Sequence, residues 1–382
     1  MKRRSFIAAA AISLTTTGMV AQNTAFAQDT VLLPCVCELS GAGAVSGSNY
    51  RDGAKLAAEE INAAGGILGK QIVINDYDTQ TDPQTSRALV QKAIDDGAYV
   101  ILGTVYSGST IVNMLVAKQN GVPQITGSEA PNITQQGNPY IFRTSSSAAK
   151  GVPSLTPYFK DTLGVKKIAV AWVNNEFGKG GHDVFVNQMK DAGIEIVADV
   201  PSEQGQADFA ADVSRIKDSG AEAAFVYVNE EESARFLKEA KKQGLSIPLV
   251  GEVTLTGQKV IDLAGEAANG AYAHVGLTTG ADVTSIQEFR EKFSAKYGRD
   301  TDHNGIKGYI GVYAVKYVTE MIGDFDREAF ANKMHGLTLD VAQNPGMLLT
   351  TSWDDTGEMS RESFMTQVVD GTQKVVGMVP AN

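Results

Sequence analysis

Ile101-Leu-Gly-Thr-Val-Tyr-Ser-Gly-Ser-Thr-Ile-Val-Asn113 holds an apolar run ending at Gly103, a short polar turn, and Ser107-Gly-Ser-Thr at the opening of a helix. Such a segment reads as one strand–turn–helix unit. The first backbone N–H groups of a helix have no intrahelical partner, and the positive end of the helix dipole lies behind them. That combination suits an anion, and a hydroxyl at the same place adds a donor. Ser107 is therefore a candidate contact for the carboxylate of a small ligand; its alternative role is to cap its own helix.

The same unit recurs on both sides of this segment. Val31 to Leu39 reads as a strand and Ser40 to Ser48 as a Gly/Ser loop. Tyr50 to Ala64 reads as a helix with Ala54, Ala57, Ala58 and Ile61 on one stripe, stopped by Gly65-Gly66. Asp82-Pro83 starts another helix by capping. A second series begins near Thr144, with strands at Lys167–Val173, Glu195–Val200 and Ala223–Val228 alternating with helices that include Glu231–Gln243. Helices at Ser285–Lys296, Gly308–Met321 and Arg327–Met334 follow, and the tail alternates as a hairpin around Asp370-Gly371. Repeated βα units predict parallel sheets with right-handed crossovers. Two such sets with no Pro-rich linker predict an α/β protein of two lobes, with a cleft at the strand C-termini.

The chain has 382 residues, of which 43% are hydrophobic and 20% charged, enough for two ordinary lobes. Its formal net charge is -11, and no Lys/Arg cluster follows residue 4, so nucleic acid is not an expected partner. Met1-Lys-Arg-Arg-Ser-Phe-Ile7, the apolar stretch to Val20 and Ala25-Phe-Ala27 read as an export signal of residues 1–27, by the Sec or the twin-arginine route. No other run is long enough to span a membrane. Cys35 and Cys37 are expected to be two buried free thiols, since a bridge across i and i+2 of a strand is strained.

Enzymatic chemistry finds little support. The four histidines, His182, His274, His303 and His335, are scattered without metal or triad spacing. There is no Gly-x-Ser-x-Gly elbow and no phosphate-binding Walker loop. Gly41-Ala-Gly-Ala-Val-Ser-Gly47 approaches a dinucleotide loop, but Ser46 stands where the last glycine belongs. No cofactor and no metal are expected, and the protein is expected not to be an enzyme.

Leu39-Ser-Gly-Ala-Gly43, Ala58-Glu-Glu-Ile-Asn-Ala-Ala-Gly-Gly-Ile-Leu-Gly69, Asp78-x-x-x-Asp82-Pro83, Gly103 to Thr110, Phe177-Gly-Lys-Gly180 and Thr351-Ser-Trp-Asp-Asp-Thr-Gly357 arrive in an order that resembles the leucine/isoleucine/valine-binding protein family. These are type I periplasmic solute-binding proteins of ABC importers. The resemblance covers nearly all of the chain after the signal. It implies two Rossmann-like lobes joined by a three-crossing hinge, here 28–144 plus 274–352 and 145–273 plus 353–382. It implies a periplasmic, monomeric receptor that binds a branched-chain or related amino acid and delivers it to ABC permease subunits in the membrane.

By the same resemblance, Ser107 and the loop Ser128-Glu129 hold the ligand's carboxylate, with Tyr106 beside them. Phe177 supplies an aromatic wall and Glu252 takes the α-ammonium. Asn229, Glu230 and Glu231 line the cleft, and Ser46 meets the ligand's side chain. Glu129 departs from the small hydroxyl residue of branched-chain members. With Glu230 and Glu231 it points to a ligand carrying an extra donor or cation, such as an amide or amine. An exported sensor of that kind of ligand is the alternative function.

Overall fold

The computed structural model describes residues 29–381, so the expected signal segment lies outside the described residues. Two sheets organise the chain. The first has five parallel strands in the order Asp76–Asp78, Cys35–Cys37, Ile101–Leu102, Gln124–Thr126 and Ile141–Arg143. The second has seven. Tyr272–Val275, Leu249–Gly251, Ala223–Tyr227, Lys167–Val173 and Glu195–Ser202 run parallel, and the hairpin Ser363–Val369 with Thr372–Val379 adds an antiparallel edge. The parallel strands at the centres of both sheets are buried runs such as Ala223–Tyr227, as expected for sheets covered by helices on both faces. The chain passes between the two lobes three times, after Arg143, after Val275 and after Ser360.

Those passages move the expected boundaries. A break at 273/274 would cut the strand Tyr272–Val275, all four residues of which pair with Ser363–Val369 in the second sheet. A break at 352/353 would cut Thr351–Trp353, which pairs with Thr338–Leu339 and with Met359–Ser360. Trp353 Nε1 also donates to the Arg143 carbonyl at 2.7 Å, which ties this small ladder to the first lobe.

Two helices begin earlier than their composition predicts. The segment expected as a loop through Ser48 is helical from Ala44 to Ala63. Gly47 enters that helix because it lies against the Glu38 backbone, where a Cβ would come within 2.1 Å of the carbonyl oxygen. Tertiary contact here overrides the low helix propensity of glycine. The helix expected from Gly308 instead spans His303–Ile322, with the Asp302 carboxylate accepting from the Asn304 N–H at 2.8 Å.

These two long helices pack face to face at glycine. A Cβ on Gly53 would sit 1.9 Å from the Gly305 oxygen, and one on Gly308 would sit 1.9 Å from the Tyr50 oxygen. Only glycine permits that approach. It brings His303, Asn304 and Lys307 to the edge of the cleft.

The thiol expectation is corrected. Cys35 and Cys37 form a disulfide with Cα atoms 5.5 Å apart, inside the span that a disulfide bridges.

Candidate functional site

Between the lobes lies a cavity, partly open to solvent, with about 680 Å³ of space not filled by atoms. One wall is the opening of the helix Ser107–Gln119. Ser107 is its first residue, and Tyr106 occupies the cap position without a side-chain cap bond. The Ser107 hydroxyl does not cap its own helix. It accepts from the Ala130 N–H at 3.2 Å, which leaves its O–H free to donate into the cavity.

Just upstream, the buried Glu38 carboxylate accepts from the N–H groups of Val105 and Tyr106, both at 3.1 Å. The helix start thus carries an internal anion on its turn. The N–H groups of Ser107, Gly108 and Ser109 have no hydrogen-bond partner among the described residues.

Burial pushes the Glu38 carboxyl up to about 7, although the two N–H donors pull it down. A carboxyl raised in the folded state favours folding fully below its unfolded value, and that contribution is lost as pH rises through about 7. Glu38→Gln removes this titration. The thermal stability of the variant relative to the parent is expected to improve from pH 5 to pH 8 by on the order of 3 kcal/mol. Melting curves at the two pH values check this; a difference that does not change with pH contradicts it.

The loop after Gly127 forms the floor. Ser128 turns its hydroxyl inward, to the carbonyls of Thr104 and Val105 at 3.1 and 2.9 Å, and it does not line the cavity. Glu129 does line it, and its carboxylate is 2.7 Å from the Lys307 ammonium. Lys307 also donates to the Gly127 carbonyl at 3.1 Å. The negative charge expected at 129 is therefore met by a cation of the protein itself. The loop is held from behind by Arg143, which is wholly buried. Its guanidinium donates to the Ser128 and Ala130 carbonyls at 2.6 and 2.5 Å and pairs with Glu358 at 2.9 Å.

The opposite wall comes from the second lobe. Phe177 lies near the start of the helix Glu176–Ala192, positioned by the Asn175 side chain accepting from the Gly178 N–H at 2.9 Å. Its ring stacks on Tyr227 with centroids 4.2 Å apart. Asn229 and Glu230 line the cavity at the start of the helix Glu230–Lys242. Burial raises the Glu230 carboxyl above its ordinary value. Glu230 accepts from the Ser46 hydroxyl at 3.2 Å, a bond that joins the two lobes.

Besides Ser128, three expected contacts stand elsewhere. Ser46 is not on the cavity wall; it reaches the site through Glu230. Glu231 points away and pairs with Arg235 at 3.2 Å and Lys259 at 3.4 Å. Glu252 is buried against His274 Nδ1 at 2.9 Å, and His274 Nε2 lies 2.8 Å from the Ser363 hydroxyl. Glu252 lines a small pocket that shares Glu129, His303 and Lys307 with the main cavity. Among the described residues, no group of three or more His, Cys, Asp or Glu side chains is placed to hold a metal ion.

A two-lobed α/β chain with this interlobe cavity matches the family model described as periplasmic binding protein over residues 30–373. The chain belongs to that family. This periplasmic binding protein is 27% identical over 342 residues to the leucine-, isoleucine-, valine-, threonine- and alanine-binding protein of Pseudomonas aeruginosa, covering 88% of the chain and 89% of that relative. It is 23% identical to the Leu/Ile/Val-binding protein of Escherichia coli, covering 90% and 91%.

Among solved structures, the branched-chain amino acid transporter substrate binding protein of Streptococcus pneumoniae, in complex with isoleucine, superposes with a TM-score of 0.83. It is 24% identical, and the match covers 93% of this chain and 99% of that one. A solute binding protein of an ABC transporter from Rhodopseudomonas palustris, in complex with 3,4-dihydroxybenzoic acid, gives a TM-score of 0.84. It is 23% identical, covering 92% and 98%. These likenesses bear on the fold of the binding protein.

Cavity residues that the sequence alone did not single out are Thr254, His303, Asn304 and Lys307, with Asn175 and Gln204 at the second-lobe wall. Asp302 ahead of His303 is a capping signal that marks the true helix start. Burial and the nearby Lys307 ammonium hold the His303 imidazole well below its ordinary range, so it is neutral at pH 7.

Proposed function

We propose that this protein is the exported solute-binding subunit of an ABC importer, closing its lobes over a small carboxylate of the amino-acid type and releasing it to a membrane permease. The observation that carries the reading is the free N–H groups and hydroxyl at the start of the Ser107–Gln119 helix, facing Glu230 and Asn229 of the other lobe across one cavity. A carboxylate bound there gains charge-assisted bonds from rigid donors. The ligand's ammonium goes to Glu230 in place of Glu252, because Glu129 and Glu252 already hold Lys307 and His274. Closure of two lobes by hinge rotation couples occupancy to the shape that a permease reads. The Ser46–Glu230 bond belongs to the closed form. The location is the periplasm, and the protein acts as a monomer.

An aromatic carboxylate is the second reading. Tyr106 and Phe177 both line the cavity, and fold neighbours include one in complex with 3,4-dihydroxybenzoic acid.

A thermal-shift screen of the amino acids and of hydroxybenzoates tests the reading, since a ligand at 100 times its Kd adds about 2.7 kcal/mol of stability. With the best ligand in hand, Ser107→Ala is expected to weaken binding by about tenfold or more, because a hydrogen bond to a charged group contributes about 1.5–3 kcal/mol. The fold is expected to persist, as circular dichroism checks. Equal affinity in parent and variant would reduce Ser107 to a structural acceptor for Ala130.

A further inference from the structure

Two residues that line the cavity carry polar atoms that the protein leaves open: Thr254, in the short helix Val253–Thr256 after the second-lobe strand Leu249–Gly251, and Asn304, at the start of the His303–Ile322 helix. Asn304 is fully buried and Thr254 is 7% exposed, and both line the cavity. Asn304 Oδ1 and Thr254 Oγ1 are buried with no hydrogen-bond partner among the described residues. A buried polar atom without a partner costs free energy comparable to a lost hydrogen bond, so two that line one cavity point to ligand groups that complete them. Asn304 Oδ1 can only accept, which means that the group must donate. Thr254 can accept or donate.

The charge around them decides what kind of donor fits. The Glu129 carboxylate is held by Lys307 at 2.7 Å, and the Lys307 ammonium lies one helical turn from His303 on the same helix. His303, between Asp302 and Asn304, is neutral. With Glu129 paired to Lys307 and the Asp302 carboxylate accepting from the Asn304 N–H, neither acid is left open for a second ammonium, whereas an uncharged donor needs no counter-charge.

We propose that Thr254 and Asn304, beside His303, form a polar subsite that recognises a hydroxyl or carboxamide donor on the ligand. The substrate class is then a small carboxylic acid bearing such a group, rather than one with a purely hydrocarbon side chain. This rests on the cleft being the ligand site, as proposed above.

The test uses matched probes on the whole exported chain, measured by calorimetry: L-threonine against L-valine, L-glutamine against L-norleucine, and 4-hydroxybenzoate against benzoate. In the parent protein, the donor-bearing member of at least one pair is expected to bind at least about tenfold tighter, because a site with buried polar groups rejects the analogue that leaves them unpaired. Thr254→Val keeps the shape of the side chain and removes its hydroxyl, and it is expected to cut that preference to about threefold or less. Asn304→Leu is expected to do the same, with Thr254→Val deciding the matter if the buried Asn304 variant does not fold. Equal binding of the members within every pair overturns the subsite and leaves the receptor reading standing, as does a preference that Thr254→Val does not change. No binding by any of the six probes overturns both.

Discussion

Lys307→Met is expected to destabilise the protein by about 3–5 kcal/mol, the cost of leaving one charge of a buried pair without its partner. The Glu129 side chain is 14% exposed and the Lys307 side chain 4%, so solvent reaches neither charge well. Methionine preserves the length of the apolar stem, which isolates the effect of the ammonium. For a chain of this size the loss corresponds to a fall in melting temperature of about 4–7 °C. The double variant Lys307→Met, Glu129→Gln removes both charges and is expected to recover most of that loss, since the pair and its neutral replacement differ little. Differential scanning calorimetry of the two variants separates the outcomes. A single variant as stable as the parent, or a double variant no better than the single, contradicts the neutralisation of Glu129 by Lys307. Binding of any carboxylate is also expected to weaken in the single variant, because an uncompensated Glu129 would then face the ligand.

Arg143 governs the same loop from the other side, and its replacement is expected to have the larger effect. Arg143→Met strands the Glu358 carboxylate and the carbonyls of Ser128 and Ala130, all partners of a guanidinium with no solvent exposure. The expected cost is about 5 kcal/mol or more, enough to cut soluble yield as well as melting temperature. Arg143→Lys is expected to rescue only part of it. A single ammonium supplies charge but cannot reproduce the planar fork that reaches the two carbonyls and the carboxylate together. Full stability in Arg143→Met, or full rescue by lysine, would show that the loop 128–131 is held by something else.

The two variants explain why part of this site was legible in the sequence and part was not. The strand–turn–helix at Ile101–Asn113 could be read because its signals are local: an apolar run, a glycine and hydroxyls at a helix start. Its consequence, a row of unpartnered N–H groups, follows from helix geometry alone. Phe177, Asn229 and Glu230 were named through the family resemblance, and each lies at the C-terminal end of a strand or the start of the next helix, where an α/β sheet opens its cleft.

Lys307 was missed for two reasons. It lies 178 positions from Glu129, and the helix was expected to begin only at Gly308, which leaves Lys307 outside it. Gly305 and Gly308 are there because the two long helices touch backbone to backbone, a fact of tertiary packing with no local signature. The partner of Glu252 was missed for a related reason. Glu252 does stand at a strand end, but His274, from the adjacent strand Tyr272–Val275, takes its Oε2. The ladder that carries Thr351–Trp353 was assigned across a boundary because its partners, Thr338–Leu339 and Met359–Ser360, are short and composed of ordinary residues.

A crystal structure of the protein with the tightest binder from the screen tests the whole account most directly. The expected result is a ligand carboxylate within hydrogen-bond reach of the Ser107 hydroxyl and the N–H groups of Ser107 to Ser109, with the Glu129–Lys307 pair intact beside it. A ligand seated outside the cavity between the lobes, or one that presents a cationic group to the start of that helix, would contradict it.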